Sequence, residues 1–271
     1  MSYAAIMVYV DAEGASEQRL RLAISISEKF NSTLIGISAR AVSPPIGSEQ
    51  FVTPDLIEAE TKEIKAALSE RENWFRKIAS AAHHRLEWRS AVDLPTQTLA
   101  REARAADLLV VGRSKEAGNI YSAPDLGGAI LNAGRPVLFV PDGIGALRAR
   151  HVVIGWKDTR EARRAVSDAL PFLHEADTVA IVEIHEPNET LAAQQRIDDV
   201  ANFLGRHRVK AGPKITLQRR GSDAGQLLRV AQDAGADLLV TGAYGHSRLG
   251  EWFFGGVTRE LLASSPMCCL M

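Results

Sequence analysis

Cysteine is almost missing from this chain: its 271 residues include two, Cys268 and Cys269, adjacent in an apolar tail. That excludes a disulfide framework and makes a reducing compartment the simplest setting. A surplus of either charge is missing too, with Lys plus Arg at 32 against Asp plus Glu at 33. Nucleic-acid binders usually show a basic surplus or a clustered basic face, so no nucleic-acid partner is expected. No apolar run approaches the ~18 residues of a membrane span. The opening Met1-Ser2-Tyr3-Ala4-Ala5-Ile6 lacks the basic and apolar regions of a signal peptide. The expectation is a cytoplasmic protein without a membrane partner. Three catalytic or nucleotide motifs are absent as well: Gly-x-x-x-x-Gly-Lys-[Ser/Thr], Gly-x-Gly-x-x-Gly after an opening strand, and Gly-x-Ser-x-Gly. A P-loop, a Rossmann dinucleotide site and a serine-hydrolase elbow are thereby set aside.

What is present is an ordinary globular composition, 46 % hydrophobic and 24 % charged. At about 150 residues per domain the length suggests two domains. The sequence itself says the same, because it is written twice. Ala106-Asp107-Leu108-Leu109-Val110-Val111-Gly112 recurs as Ala236-Asp237-Leu238-Leu239-Val240-Thr241-Gly242, and the same offset relates Asp93 to Asp223, Leu131 to Leu261 and Pro136 to Pro266. Such a repeat predicts two homologous halves, 1–145 and 146–271, divided at the turn-rich Pro141-Asp142-Gly143-Ile144-Gly145. Upstream the register slips, because the first half carries an insertion around Val42 to Thr53.

In each half, short apolar runs alternate with helical patterns. His151–Trp156, Val179–Ile184, Ile215–Gln218, Asp237–Thr241 and Met267–Leu270 read as strands of the second half. Ala5–Val10, Thr33–Ser38, Leu86–Arg89, Leu108–Val111 and Val137–Val140 answer them in the first. Ala162, Ala165, Val166, Ala169, Leu170 and Leu173 fall at helical intervals after Asp158-Thr159-Arg160-Glu161, which has capping-box spacing. Gly221-Ser222-Asp223 reads as the cap of a further helix. Near-continuous apolar strands separated by helices predict α/β domains with parallel sheets covered on both faces. Ligands of such sheets bind beyond the carboxyl ends of the strands, where strand order reverses.

The densest chemistry lies after the fourth strand of the second half. Gly242-Ala243-Tyr244-Gly245 is followed, nine residues later, by Gly255-Gly256-Val257-Thr258. A glycine at a strand's carboxyl edge lets a ligand approach the backbone. Gly255 and Gly256 lead into a helical start whose free amides suit phosphate oxygens. Thr258 adds a hydroxyl, and His246 and Arg248 add positive charge.

The spacing Gly242-x-x-Gly245-x9-Gly255-Gly256-Val257-Thr258, with Pro266, the preceding Ala236–Thr241 strand and the opening His151–Trp156, resembles the nucleotide-binding signature of the universal stress proteins. Counting both halves, the chain resembles a tandem, UspA-like member of that family over nearly its whole length. The resemblance implies two tandem doubly wound domains, each a five-stranded parallel sheet flanked by helices, packed through their last strands like a pseudo-dimer. This is the adenine nucleotide alpha hydrolase-like arrangement. It also implies ATP, ADP or AMP in the second half, with or without Mg, a homodimer of tandem chains, and a regulatory role in the stress response. Phosphate contacts map to Gly242, Gly245, Gly255, Gly256, Val257 and Thr258, and adenine and ribose contacts to Gly155, Trp156, Lys157 and Ile184. The sequence departs from the family at Lys157, where an acidic residue is usual; Asp158 follows it. An ammonium only donates to ribose hydroxyls, which a carboxylate would accept from. Gly256 replaces a small hydroxyl residue.

In the first half Lys115, Asp125 and Leu126 stand where Gly245, Gly255 and Gly256 would be, so that site reads as lost although Asp11 keeps the acidic position. No residue reads as catalytic or as a metal ligand. His83-His84 reads as a solvated helix end, Arg219-Arg220 as an exposed pair, Trp252-Phe253-Phe254 as packing and Cys268-Cys269 as core filling. Slow ATP hydrolysis and a nucleotide-free interaction scaffold are the alternatives to nucleotide binding.

Overall fold

The computed structural model describes residues 2–12, 17–44, 53–80, 85–113, 117–218, 220–244 and 256–271. They fall into two compact units, one of residues 3–135 with 142–146 and one of residues 136–141 with 147–271. The N-terminal unit runs β1 (Ala5–Tyr9), α1 (Glu17–Phe30), β2 (Thr33–Ala39), α2 (Pro54–Ala79), β3 (Leu86–Ala91), α3 (Pro95–Glu102), β4 (Leu108–Gly112) and α4 (Leu126–Ala133). Its strands lie in the order β3-β2-β1-β4, all parallel. Ile6, Met7, Val8 and Leu108 to Val111 are fully buried, as continuous apolar strands must be when helices cover both faces. After the insertion comes the 26-residue α2, with Thr53 accepting the Leu56 amide as its cap. Val42 packs there against Ala12, Ile64 and Leu68.

The C-terminal unit runs β5 (Val137–Val140), β6 (His151–Trp156), α5 (Arg160–Asp168), α6 (Leu170–Leu173), β7 (Thr178–His185), α7 (Thr190–Arg206), β8 (Lys214–Gln218), α8 (Asp223–Asp233), β9 (Leu238–Thr241), α9 (Gly256–Ser264) and β10 (Cys268–Leu270). Its strand order is β5-β10-β9-β6-β7-β8. Neighbours are parallel from β10 through β8, while β5 pairs antiparallel with β10, Phe139 opposite Cys269 and Leu138 opposite Leu270. The α/β architecture read from the repeat is therefore present.

Two local readings change. The helix expected from Ala162 to Leu173 is divided at Ala169, because Pro171 has no amide to continue the hydrogen-bond ladder. The cap of α5 is Thr159, whose hydroxyl accepts the Ala162 amide at 3.2 Å. Asp158 instead holds the Arg163 guanidinium at 2.6 Å.

β6 begins against β9 and β7 together: Gly155 pairs with Thr241 on one side and Val182 on the other. The chain leaves β6 toward β7 and β8, then returns to β9 on the opposite side. The carboxyl ends of β6 and β9 therefore form the reversal point at which a crevice opens.

Candidate functional site

A cavity of about 620 Å³ lies at that reversal point. The end of β6 supplies Gly155, Trp156 and Lys157; β7 supplies Val182 and Ile184; the end of β9 supplies Thr241 and Gly242. The N-termini of three helices complete it, with Thr159 and Ala162 from α5, Ser222 and Asp223 from α8, and Gly256, Val257, Thr258 and Glu260 from α9. Helices follow strands at the carboxyl edge of a parallel sheet, so their positive dipole ends and unpaired first-turn amides converge on the same space. That arrangement favours an anion.

The structure brings together eight of the ten residues singled out in the sequence: Gly155, Trp156, Lys157, Ile184, Gly242, Gly256, Val257 and Thr258. Gly245 and Gly255 lie outside the described residues, as do His246, Arg248, Trp252, Phe253 and Phe254, and also His83, His84, Lys115 and Arg219. Gly242 has a packing reason to be glycine. A Cβ there would stand 2.5 Å from the Ala162 nitrogen and 2.9 Å from its Cα, so the end of β9 touches the backbone of α5's first turn. Gly256 is different, with nothing within 4 Å of a Cβ built on it. Its surface is open toward the cavity. Thr258, 2 % exposed, accepts the Tyr244 amide at 3.3 Å and thereby ties the turn after β9 to α9. Tyr244 holds a left-handed φ of 60°, a conformation uncommon outside glycine.

The sequence departure at Lys157 resolves by position. Lys157 lies on the cavity and is exposed, whereas Asp158 lines a neighbouring cavity of about 370 Å³ with Arg163, Arg196, Asp199 and Phe203. Among the described residues, the carboxylates on the main cavity are Asp223 and Glu260, neither of which the glycine spacing pointed to. Glu260 accepts a hydrogen bond from the Ser222 hydroxyl, which also caps α8 through the Gly225 amide. The signal for Glu260 was its place one turn beyond Gly256, on the same helical face.

On β7, Glu183 is 4 % exposed and accepts at 2.7 Å from Nε of Arg196, an α7 residue that lines the second cavity. Burial nonetheless pushes its carboxyl above the usual carboxylate range, against the pull of that guanidinium. Protonated Glu183 is then the form that folding favours. Its contribution is full below about pH 4.5 and is lost as pH rises through the higher folded value. The stability of the native chain relative to Glu183→Gln should accordingly fall with rising pH above that point, read from urea midpoints across the range. A difference that is flat or grows with pH would contradict it. Elsewhere in the unit, burial pushes the Cys268 thiol up to about 12 and Cys269 up to about 11, so both are neutral core side chains near pH 7.

In the N-terminal unit the equivalent positions are satisfied internally. Asp125 caps α4 and accepts the Gly128 amide at 2.7 Å, so the carboxylate already occupies that helix start. Asp11, at the end of β1, is paired with Arg19 at 2.6 Å, both side chains about 95 % buried. Gly112 remains at the end of β4.

Residues 148–271 match the model of the universal stress protein family. A universal stress protein from Archaeoglobus fulgidus DSM 4304 superposes with a TM-score of 0.72 at 13 % identity, covering 98 % of this chain and 94 % of that one. A putative universal stress protein from Pseudomonas aeruginosa UCBPP-PA14 gives a TM-score of 0.62 at 15 % identity, covering 98 % and 92 %. A functionally unknown protein from Pseudomonas aeruginosa PAO1 gives the same score and identity, covering 98 % and 91 %. At these identities the likeness is one of fold, and it extends along the whole chain. No curated protein matches the sequence. Among the described residues no helix is long and apolar enough to cross a membrane.

Proposed function

We propose that the C-terminal unit binds an adenine nucleotide in the cavity at the ends of β6 and β9, and that the protein acts as a nucleotide-responsive regulatory factor in the stress response. The observation that carries this reading is the convergence of two sequence-distant groups, Gly155-Trp156-Lys157 and Gly256-Val257-Thr258, on one space at the reversal point. Val182, Ile184 and Leu227 offer apolar surface for a base, and the start of α9 offers amides for phosphate. In this reading Gly155, Trp156, Lys157 and Ile184 face the base and ribose, and Gly242, Gly256, Val257 and Thr258 face the phosphates, with Gly245 and Gly255 as further phosphate contacts. ATP, ADP and AMP share this chemistry, and a polyphosphate would bring Mg with it. No step of catalysis is assigned, because binding alone accounts for the groups present. A homodimer of chains in the cytoplasm completes the reading, its mass measurable by light scattering.

Gly256→Asp tests the site cleanly. The new side chain enters open space, so the fold is kept, and an aspartate in a first helical turn is favourable to the helix. Its charge, however, faces the incoming phosphate. The expected result is an adenine nucleotide released from the denatured native protein, absent from the variant, with calorimetric affinity falling by about tenfold or more. A native protein that carries no nucleotide and ignores added ATP, ADP and AMP would overturn the proposal and leave the scaffold reading.

A further inference from the structure

The charges around the cavity are arranged against its own dipoles. Three helix N-termini attract an anion, yet two of the helices also bring carboxylates, Asp223 in the first turn of α8 and Glu260 four residues into α9. Side chains on a helix lean toward its N-terminus, and residues four apart share a face. Glu260 thus stands over the same helix start that Gly256 leaves open. Its position is held: the Ser222 hydroxyl donates to it from the cap of α8, across the mouth between the two helices. The cation among the described lining residues is Lys157, on the far strand ends at the β6 side.

We infer that Glu260 is a specificity-determining residue that sets the phosphate number of the ligand, so that the cavity takes an adenine nucleoside monophosphate in preference to the triphosphate. This rests on the nucleotide reading of the same cavity. One phosphate is held by the first-turn amides of α9, where the dipole ends act at short range. Each further phosphate adds negative charge beside the Glu260 carboxylate, and like charges repel across this half-exposed helix start, where salt screens them. The Ser222 hydroxyl keeps that carboxylate in place instead of letting it swing to solvent.

The test is calorimetric titration of the full chain with AMP and with ATP in metal-free buffer, for the native protein and for Glu260→Gln. Glutamine keeps the shape and can still accept from Ser222, so folding is preserved. The native protein should bind AMP more tightly than ATP. Glu260→Gln should shift the ATP-to-AMP affinity ratio toward ATP by about tenfold, the scale of one removed repulsion at this range. Added salt should raise the ratio in the native protein and leave it nearly unchanged in the variant, a response that a merely structural role for Glu260 would not produce. If ATP binds the native protein at least as tightly as AMP, or the substitution shifts both affinities equally, the inference is overturned while nucleotide binding stands. If neither protein binds either nucleotide, both readings fall together.

Discussion

Gly242→Ala should lower the unfolding free energy of the C-terminal unit by about 3 kcal/mol, the upper end of the usual cost of overpacking. The methyl group would meet main-chain atoms at 2.5 and 2.9 Å, not the yielding tip of a long side chain. Relief therefore requires the first turn of α5 to move away from the end of β9. That turn is fixed from the other side, since Ala162 is 3 % exposed and its amide is held by Thr159. Gly155 is a useful contrast: its nearest neighbour, at 2.6 Å, is the terminal methyl of Leu227, which has rotamers to spare. Gly256→Ala is the matched control, entering open space at a helical position where alanine is favoured over glycine. Urea denaturation should separate the two, with a large drop in midpoint for Gly242→Ala and none for Gly256→Ala. Equal effects would mean that the contact between β9 and α5 does not require a glycine at position 242.

Arg19→Met should cost the N-terminal unit about 3–5 kcal/mol, because it strands a buried carboxylate. Asp11 is 4 % exposed, and one of its oxygens, Oδ1, has no hydrogen-bond partner among the described residues even with Arg19 in place. Arg19 compensates the other oxygen and also donates to the Tyr9 carbonyl at 3.3 Å, locking the start of α1 over the end of β1. Removing the guanidinium leaves a buried carboxylate without that counter-ion. The double variant Asp11→Leu with Arg19→Met should recover most of the loss, since apolar replacements of a buried pair are often near neutral. A single variant within about 0.5 kcal/mol of the native protein would show that the pair is not insulated from water. In this half the Asp11 carboxylate serves folding, with α1 as its partner.

Much of this molecule is legible in its sequence. The buried strands announced themselves as unbroken apolar runs such as Val152-Val153-Ile154 and Leu238-Leu239-Val240, and all of those residues are at most 1 % exposed. Ser222 capping α8 followed from the affinity of a small hydroxyl for the amide three residues on. Where two neighbours competed for one role the sequence was ambiguous, as with Asp158 and Thr159 at the start of α5. Either can cap a helix, and only the reach of Arg163 decided which was otherwise engaged.

The sequence by itself determined the local order, namely the alternation of strands and helices, the duplication, and the glycines at the ends of β6 and β9. These depend on periodicity and on backbone freedom, which are properties of neighbours along the chain. The tertiary structure alone decided which turns meet. Gly155 faces Thr241 because β9 lies beside β6 rather than beyond β8, and no local pattern encodes that choice. The same holds for β5, which pairs antiparallel with β10, and for Glu260, which faces the cavity because α9 packs beside α8. Burial of whole faces selects these arrangements, and that energy belongs to the packed layers collectively and not to any one segment.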